Sequence, residues 1–205
     1  MCPVPTRSGE PPLLAIGLRA KSGRAIAVVL AGPPEAPVVC ERGELTFTGP
    51  GERQPYHPVM ELPWPQAEAA VKKVAARLNA AAAAELGKLV RGCRAFAATV
   101  VGVGIVGAGR RDLERIGNFH IRAHAAEGVL FRVVLEAAAE ANGLPSSLFP
   151  ERGLEEALAP IVGLPVPQLR ARLSDLGRAV GSPWRADEKA AALAAWAVLV
   201  QGPRT

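Results

Sequence analysis

Residues 95–106 read AFAATVVGVGIV, an unbroken apolar run rich in β-branched side chains. A strand with one wet face alternates polar and apolar residues, whereas a continuous run needs cover on both faces. This segment therefore demands a layered α/β domain with helices on each side of a sheet. Aromatic residues make up only 4% of the 205-residue chain. The layers must then be packed with Ala, Val and Leu.

The flanking sequence supplies those layers. Residues 13–19 (LLAIGLR) and 25–30 (AIAVVL) are short apolar runs separated by a polar turn ending in Gly23, which predicts a β-hairpin. Val38-Val39 and Leu45-Thr46-Phe47, interrupted by Arg42-Gly43, predict a third strand. Residues 49–65 hold five prolines and predict an irregular connection. Over residues 66–89, Val71, Val74, Leu78, Ala82, Leu86 and Leu89 recur at helical steps. A second helix is expected over 121–142, a short strand over 146–149, and helices over 153–159 and 167–176. Ser182-Pro183-Trp184 is expected to open the last helix, with Ser182 as its cap. The expected order is three strands, a helix, a strand, a helix, a short strand and three helices. Residues 1–11 read as a tail without a secretory leader, and 12–202 as a single domain.

The net charge is +5. It is concentrated: between Lys72 and Arg122 ten basic residues face only Glu85, Asp112 and Glu114. Such a block is either the footprint of a polyanion such as nucleic acid or a solvated helix face. Cys2, Cys40 and Cys93 are far apart and form no C-x-x-C pair, which argues against a cysteine zinc site and suits a reducing cytoplasm. The longest apolar stretch, 95–108, is too short to span a bilayer, so no membrane partner is expected.

Three patterns carry candidate chemistry. Gly102, Gly104, Gly107 and Gly109 satisfy G-x-G-x-x-G, with Glu127 twenty residues beyond Gly107. They fit a glycine-rich strand packed closely against its cover, or a dinucleotide-binding turn. His120, His124 and Glu127 fall at i, i+4 and i+7, one face of a helix that can hold a divalent metal or simply be polar. Asp187 and Glu188 open the last helix, either to favour its dipole or as a carboxylate pair for Mg²⁺. Neither a nucleophile elbow nor a Walker A loop occurs.

Three stretches together resemble the ribonuclease-H-like fold, and within it the Holliday-junction resolvase branch. They are the glycine-turned hairpin 15–27, the helix start 123–132 and the alanine-rich helix 184–196 with its early acids. The resemblance implies an α/β domain with a mixed sheet and helices on both faces. It implies a nucleic-acid-associated protein and, if active, a Mg²⁺- or Mn²⁺-dependent phosphodiesterase. Glu127, Asp187 and Glu188 would be the metal ligands and His124 a ligand or general base. Lys72, Lys73, Arg77, Arg110 and Arg111 would contact phosphates. The family also places an aspartate in its first strand, where this chain has Leu18 and Arg19, so the carboxylate site is expected to be rearranged. A non-catalytic scaffold of the same fold is the alternative, and a homodimer is left open.

Overall fold

The computed structural model describes residues 11–49, 51–95, 97–109 and 112–203. Five strands form one sheet: β1 (Leu13–Lys21), β2 (Arg24–Ala31), β3 (Val38–Thr46), β4 (Thr99–Gly107) and β5 (Ser146–Pro150). Their order is β3-β2-β1-β4-β5. The β1–β2 and β2–β3 pairs are antiparallel; β4 joins β1 in parallel and β5 joins β4 in parallel. Among the described residues there are five α-helices, α1 (Trp64–Arg94), α2 (Phe119–Ala141), α3 (Leu154–Val162), α4 (Val166–Val180) and α5 (Ala186–Gln201), and a short 3-10 turn over His57–Val59. A mixed sheet between helical layers is what the ribonuclease-H-like resemblance predicts.

The hairpin closes through Ser22 and Gly23, with Gly23 at φ +75° and Lys21 paired with Arg24. A positive φ at this tight turn suits glycine, which has no Cβ to clash. β3 runs straight through Arg42 and Gly43, which pair with Val28 and Ala27, so the interruption expected there is absent. β2 pairs with both residues, and the ladder's one register shift lies further along, between Val29 and Leu30.

Alternation along β1 sorts the two cores. Leu14, Ile16 and Leu18 join Val103, Ile105, Leu78, Leu86, Phe131 and Leu135 in the layer covered by α1 and α2. Ala15 joins Leu30, Leu158, Leu169, Leu193 and Trp196 in the layer covered by α3, α4 and α5. On that second face Gly17 and Gly104 touch α5 directly. A Cβ on Gly17 would lie 1.8 Å from the Ala191 carbonyl oxygen, and one on Gly104 would lie 2.4 Å from that of Ala194.

Gly102, Gly104 and Gly107 of the G-x-G-x-x-G pattern thus serve close packing, whereas Gly109 has open space around it. Gly102, Gly104 and Gly107 lie within β4, and α2 begins only at Phe119. The dinucleotide reading, which needs a tight strand-to-helix turn at these residues, is overturned by that spacing.

The last helix also starts later than the sequence suggests. Ser182 does not cap it; Arg185 holds the N-cap position and its backbone N–H donates to the Glu188 carboxylate at 2.8 Å. Residues 181–183 are instead drawn to β3, where the Arg42 guanidinium donates to the carbonyls of Gly181 (2.9 Å), Ser182 (2.7 Å) and Pro183. Trp184 folds back on α4, its indole N–H donating to the Leu173 carbonyl at 2.8 Å.

Cys93 is buried and free, and burial together with the Glu41 charge pushes its thiol up to about 11. Cys40 is disulfide-bonded. Among the described residues, no helix is long and apolar enough to cross a membrane.

Candidate functional site

Two places gather chemistry-bearing side chains. The first is the C-terminal end of β1. Arg19 and Lys21 share the strand face of Gly17 and so point toward α5. The Arg19 guanidinium meets the Glu151 carboxylate, just past β5, at 2.7 Å. It also lies 3.5 Å from Asp187 on the first turn of α5. The Lys21 ammonium lies 3.1 Å from the same Asp187 carboxylate. Two cations therefore answer two carboxylates, and no excess negative charge is left to attract a dication.

The second place lies on the opposite face of the sheet, where the proline-rich connection crosses the start of α2. Asn118 caps that helix, accepting from the Ile121 N–H at 2.9 Å. The buried Arg122 then holds the connection down, donating to the carbonyls of Met60 (2.9 Å) and Leu62 (3.1 Å). Its guanidinium also covers the rings of Phe119 and Trp64. Tyr56 stacks on Trp64 with centroids 5.4 Å apart, and burial followed by the charges of Glu68 and Glu127 raises its phenol.

This anchoring places His57 against α2. The rings of His57, His120 and His124 pack edge to face, with centroids 4.5–5.1 Å apart. The Nε2 atoms of His120 and His124 are 3.1 Å apart. Beneath them Glu127, 3% exposed, accepts from the Tyr56 N–H at 3.2 Å and contacts His57 Nδ1 at 2.8 Å. His124 Nδ1 stands 3.9 Å from the other Glu127 oxygen. His57 Nε2 is buried and meets no hydrogen-bond partner among the described residues. One ring nitrogen from each histidine lies within 4.8 Å of the others.

The sequence-derived candidates distribute as follows. His120, His124 and Glu127 come together, and His57 joins them from the connection. Glu127 does not meet Asp187 or Glu188: α2 and α5 cover opposite faces of the sheet, and the two groups share no partner among the described residues. Asp187 is held by Arg19 and Lys21, and Glu188 caps α5. The carboxylate trio expected as a metal cluster is thus divided by the sheet. Lys72, Lys73 and Arg77 are exposed on α1; Arg77 pairs with Glu52, while Lys72 and Lys73 have no ion-pair partner among the described residues. Arg110 and Arg111 lie outside the described residues. Arg122, part of the basic block, is internal and unavailable to phosphates.

His57 carried no local signal. It stands 63 residues before His120, in a segment without periodicity. Its one available cue is that the chain contains only three histidines.

No protein-family model and no curated protein matches the chain. Among solved structures it superposes on Thermus thermophilus RuvC in complex with a Holliday junction substrate, with TM-score 0.48 and 13% identity. That alignment covers 90% of this chain and 91% of the other. A second Thermus thermophilus RuvC structure gives TM-score 0.44 and 12% identity, covering 90% and 92%.

Proposed function

We propose that the chain is a nucleic-acid-binding module of ribonuclease-H-like fold that does not cleave by two-metal carboxylate chemistry. The observation that carries this reading is the pairing of Arg19 with Glu151 and Asp187 at the end of β1. Two-metal hydrolysis requires carboxylates free to hold ions ~3.5–4 Å apart. A guanidinium seated among those carboxylates repels the ions and occupies their ligands. Mg²⁺ and Mn²⁺, the cofactors expected of an active resolvase-like enzyme, thus lack a donor set at this end of the sheet.

Support for a nucleic-acid partner comes from α1. Lys72, Lys73, Arg91 and Arg94 are exposed along it, and none has an ion-pair partner among the described residues. At 1.5 Å per residue, the span from Lys72 to Arg94 is about 33 Å, roughly one turn of a B-form duplex. Unpaired surface cations exchange condensed counterions of a polyanion for direct phosphate contacts.

Binding of linear and branched DNA and RNA, followed by anisotropy across a salt series, tests the proposal. Expected are affinity that falls steeply with salt and no cleavage in Mg²⁺ or Mn²⁺. Metal-dependent cleavage overturns the non-hydrolytic reading. Absent binding at low salt overturns the nucleic-acid role and leaves a protein-binding scaffold.

A further inference from the structure

We propose that His57, His120 and His124 form a binding site for a divalent transition metal of the zinc class, with Glu127 as the carboxylate that orients His57. All three histidines of the chain converge there, although one is separated from the others by 63 residues. Three imidazoles are the donor set preferred by zinc and its neighbours, whereas Mg²⁺ and Ca²⁺ take oxygen.

The geometry agrees with that chemistry. Tetrahedral zinc with Zn–N of about 2.0–2.1 Å places its ligand nitrogens ~3.3 Å apart. The His120 and His124 Nε2 atoms are already 3.1 Å apart. Little rearrangement is needed at that pair to admit an ion between its nitrogens.

Glu127 completes the arrangement. Glu127 faces His57 Nδ1 at 2.8 Å, where a carboxylate accepts the ring proton of the Nδ1–H tautomer. That tautomer leaves the Nε2 lone pair free, and His57 Nε2 is a buried atom without a hydrogen-bond partner among the described residues. A ligating imidazole that donates its other N–H to a carboxylate is the usual outer support of a metal site, fixing both tautomer and ring angle. The Tyr56 N–H holds the same Glu127 oxygen, so the support is itself anchored. Three protein ligands leave a tetrahedral ion one position for water or a ligand oxygen. Exposed His120 and His124 put that position on the solvent side. The site is separate from the ion-paired end of β1 and does not depend on nucleic-acid binding.

The test uses full-length protein without a polyhistidine tag. Co²⁺ titration should give the visible bands of a low-coordinate site at one equivalent, and Zn²⁺ should displace it. Mg²⁺ in large excess should not. The His120→Ala/His124→Ala double variant alters only exposed side chains, keeps the fold by circular dichroism, and should lose the bands. His57→Ala should weaken Zn²⁺ by more than Glu127→Gln, for which about 10–100-fold is expected. Glu127→Gln should also leave the Co²⁺ band positions unchanged, because Glu127 positions a ligand rather than being one. No Co²⁺ bands in the wild type, or bands retained by the double variant, would overturn the site. Displacement of Co²⁺ by Mg²⁺ would do so as well, by pointing to an oxygen cage.

Discussion

The two faces of the sheet treat their polar groups in opposite ways. Toward α5, the end of β1 is satisfied: Arg19, Lys21, Glu151 and Asp187 answer one another charge for charge. Toward α1 and α2, three imidazoles crowd around a buried carboxylate, and the buried Nε2 of His57 has no hydrogen-bond partner among the described residues. A saturated cluster has nothing left to offer a ligand, whereas an unsaturated one is held in a state that a ligand completes. Chemistry should therefore be sought at the histidines and not at the place where the fold's usual carboxylates would stand.

Substitutions can break this contrast in graded steps. Gly104→Val acts first and most strongly, since its side chain would enter the Ala194 backbone of α5. Overpacking of this kind costs about 3 kcal/mol or more. Urea unfolding should show a large fall in midpoint, and a midpoint unchanged from wild type would refute the close α5 contact.

Glu127→Ala comes next. It strips the Tyr56 N–H and His57 Nδ1 of their buried acceptor, a loss of about 2 kcal/mol. Urea unfolding measures it, and a change under about 0.5 kcal/mol would mean that Glu127 supports nothing on that side.

Arg19→Ala should cost only about 1 kcal/mol, because Glu151 and Asp187 remain partly exposed. The difference should shrink in 1 M salt. Arg19→Asp converts the saturated end into an acidic one. In a His120→Ala/His124→Ala background it should acquire Mn²⁺ binding, read by electron paramagnetic resonance, that the same background with Arg19 lacks. Equal Mn²⁺ binding with Arg19 in place in that background would erase the contrast between the two faces.

The smallest stability effect belongs to Lys72→Ala/Lys73→Ala, within about 0.5 kcal/mol. Its signature is elsewhere: the salt slope of duplex binding should fall by roughly 0.9 for each phosphate that the variant leaves unneutralised. An unaltered slope would remove these two lysines from the interface.

Much of the fold was legible because its signals are local. The unalternating run became β4, the Ser22-Gly23 turn became a hairpin, and the periodic positions Val71, Leu78, Ala82 and Leu86 became the buried side of α1. What could not be read locally depends on distant contacts. Arg42, on β3, draws off the backbone of residues 181–183 and so delays the start of α5. His57 reaches α2 because Arg122 pins the carbonyls of Met60 and Leu62. The i, i+4, i+7 spacing announced that His120, His124 and Glu127 share a face. It could not announce that Glu127 would turn inward to a third histidine, or that the sheet would part it from Asp187.

The contact of Gly17 with Ala191 is also a ruler. Arg19 stands two residues beyond Gly17, about 6.7 Å along the strand. Asp187 stands four residues before Ala191, about 6 Å along a helix running the opposite way. The two offsets nearly match, so a packing contact between backbones sets where the charges meet. A side chain at position 17 would lift α5 and pull that ion pair apart without touching either of its members. The electrostatics of this end of the molecule are, in that sense, inherited from the absence of a single methyl group.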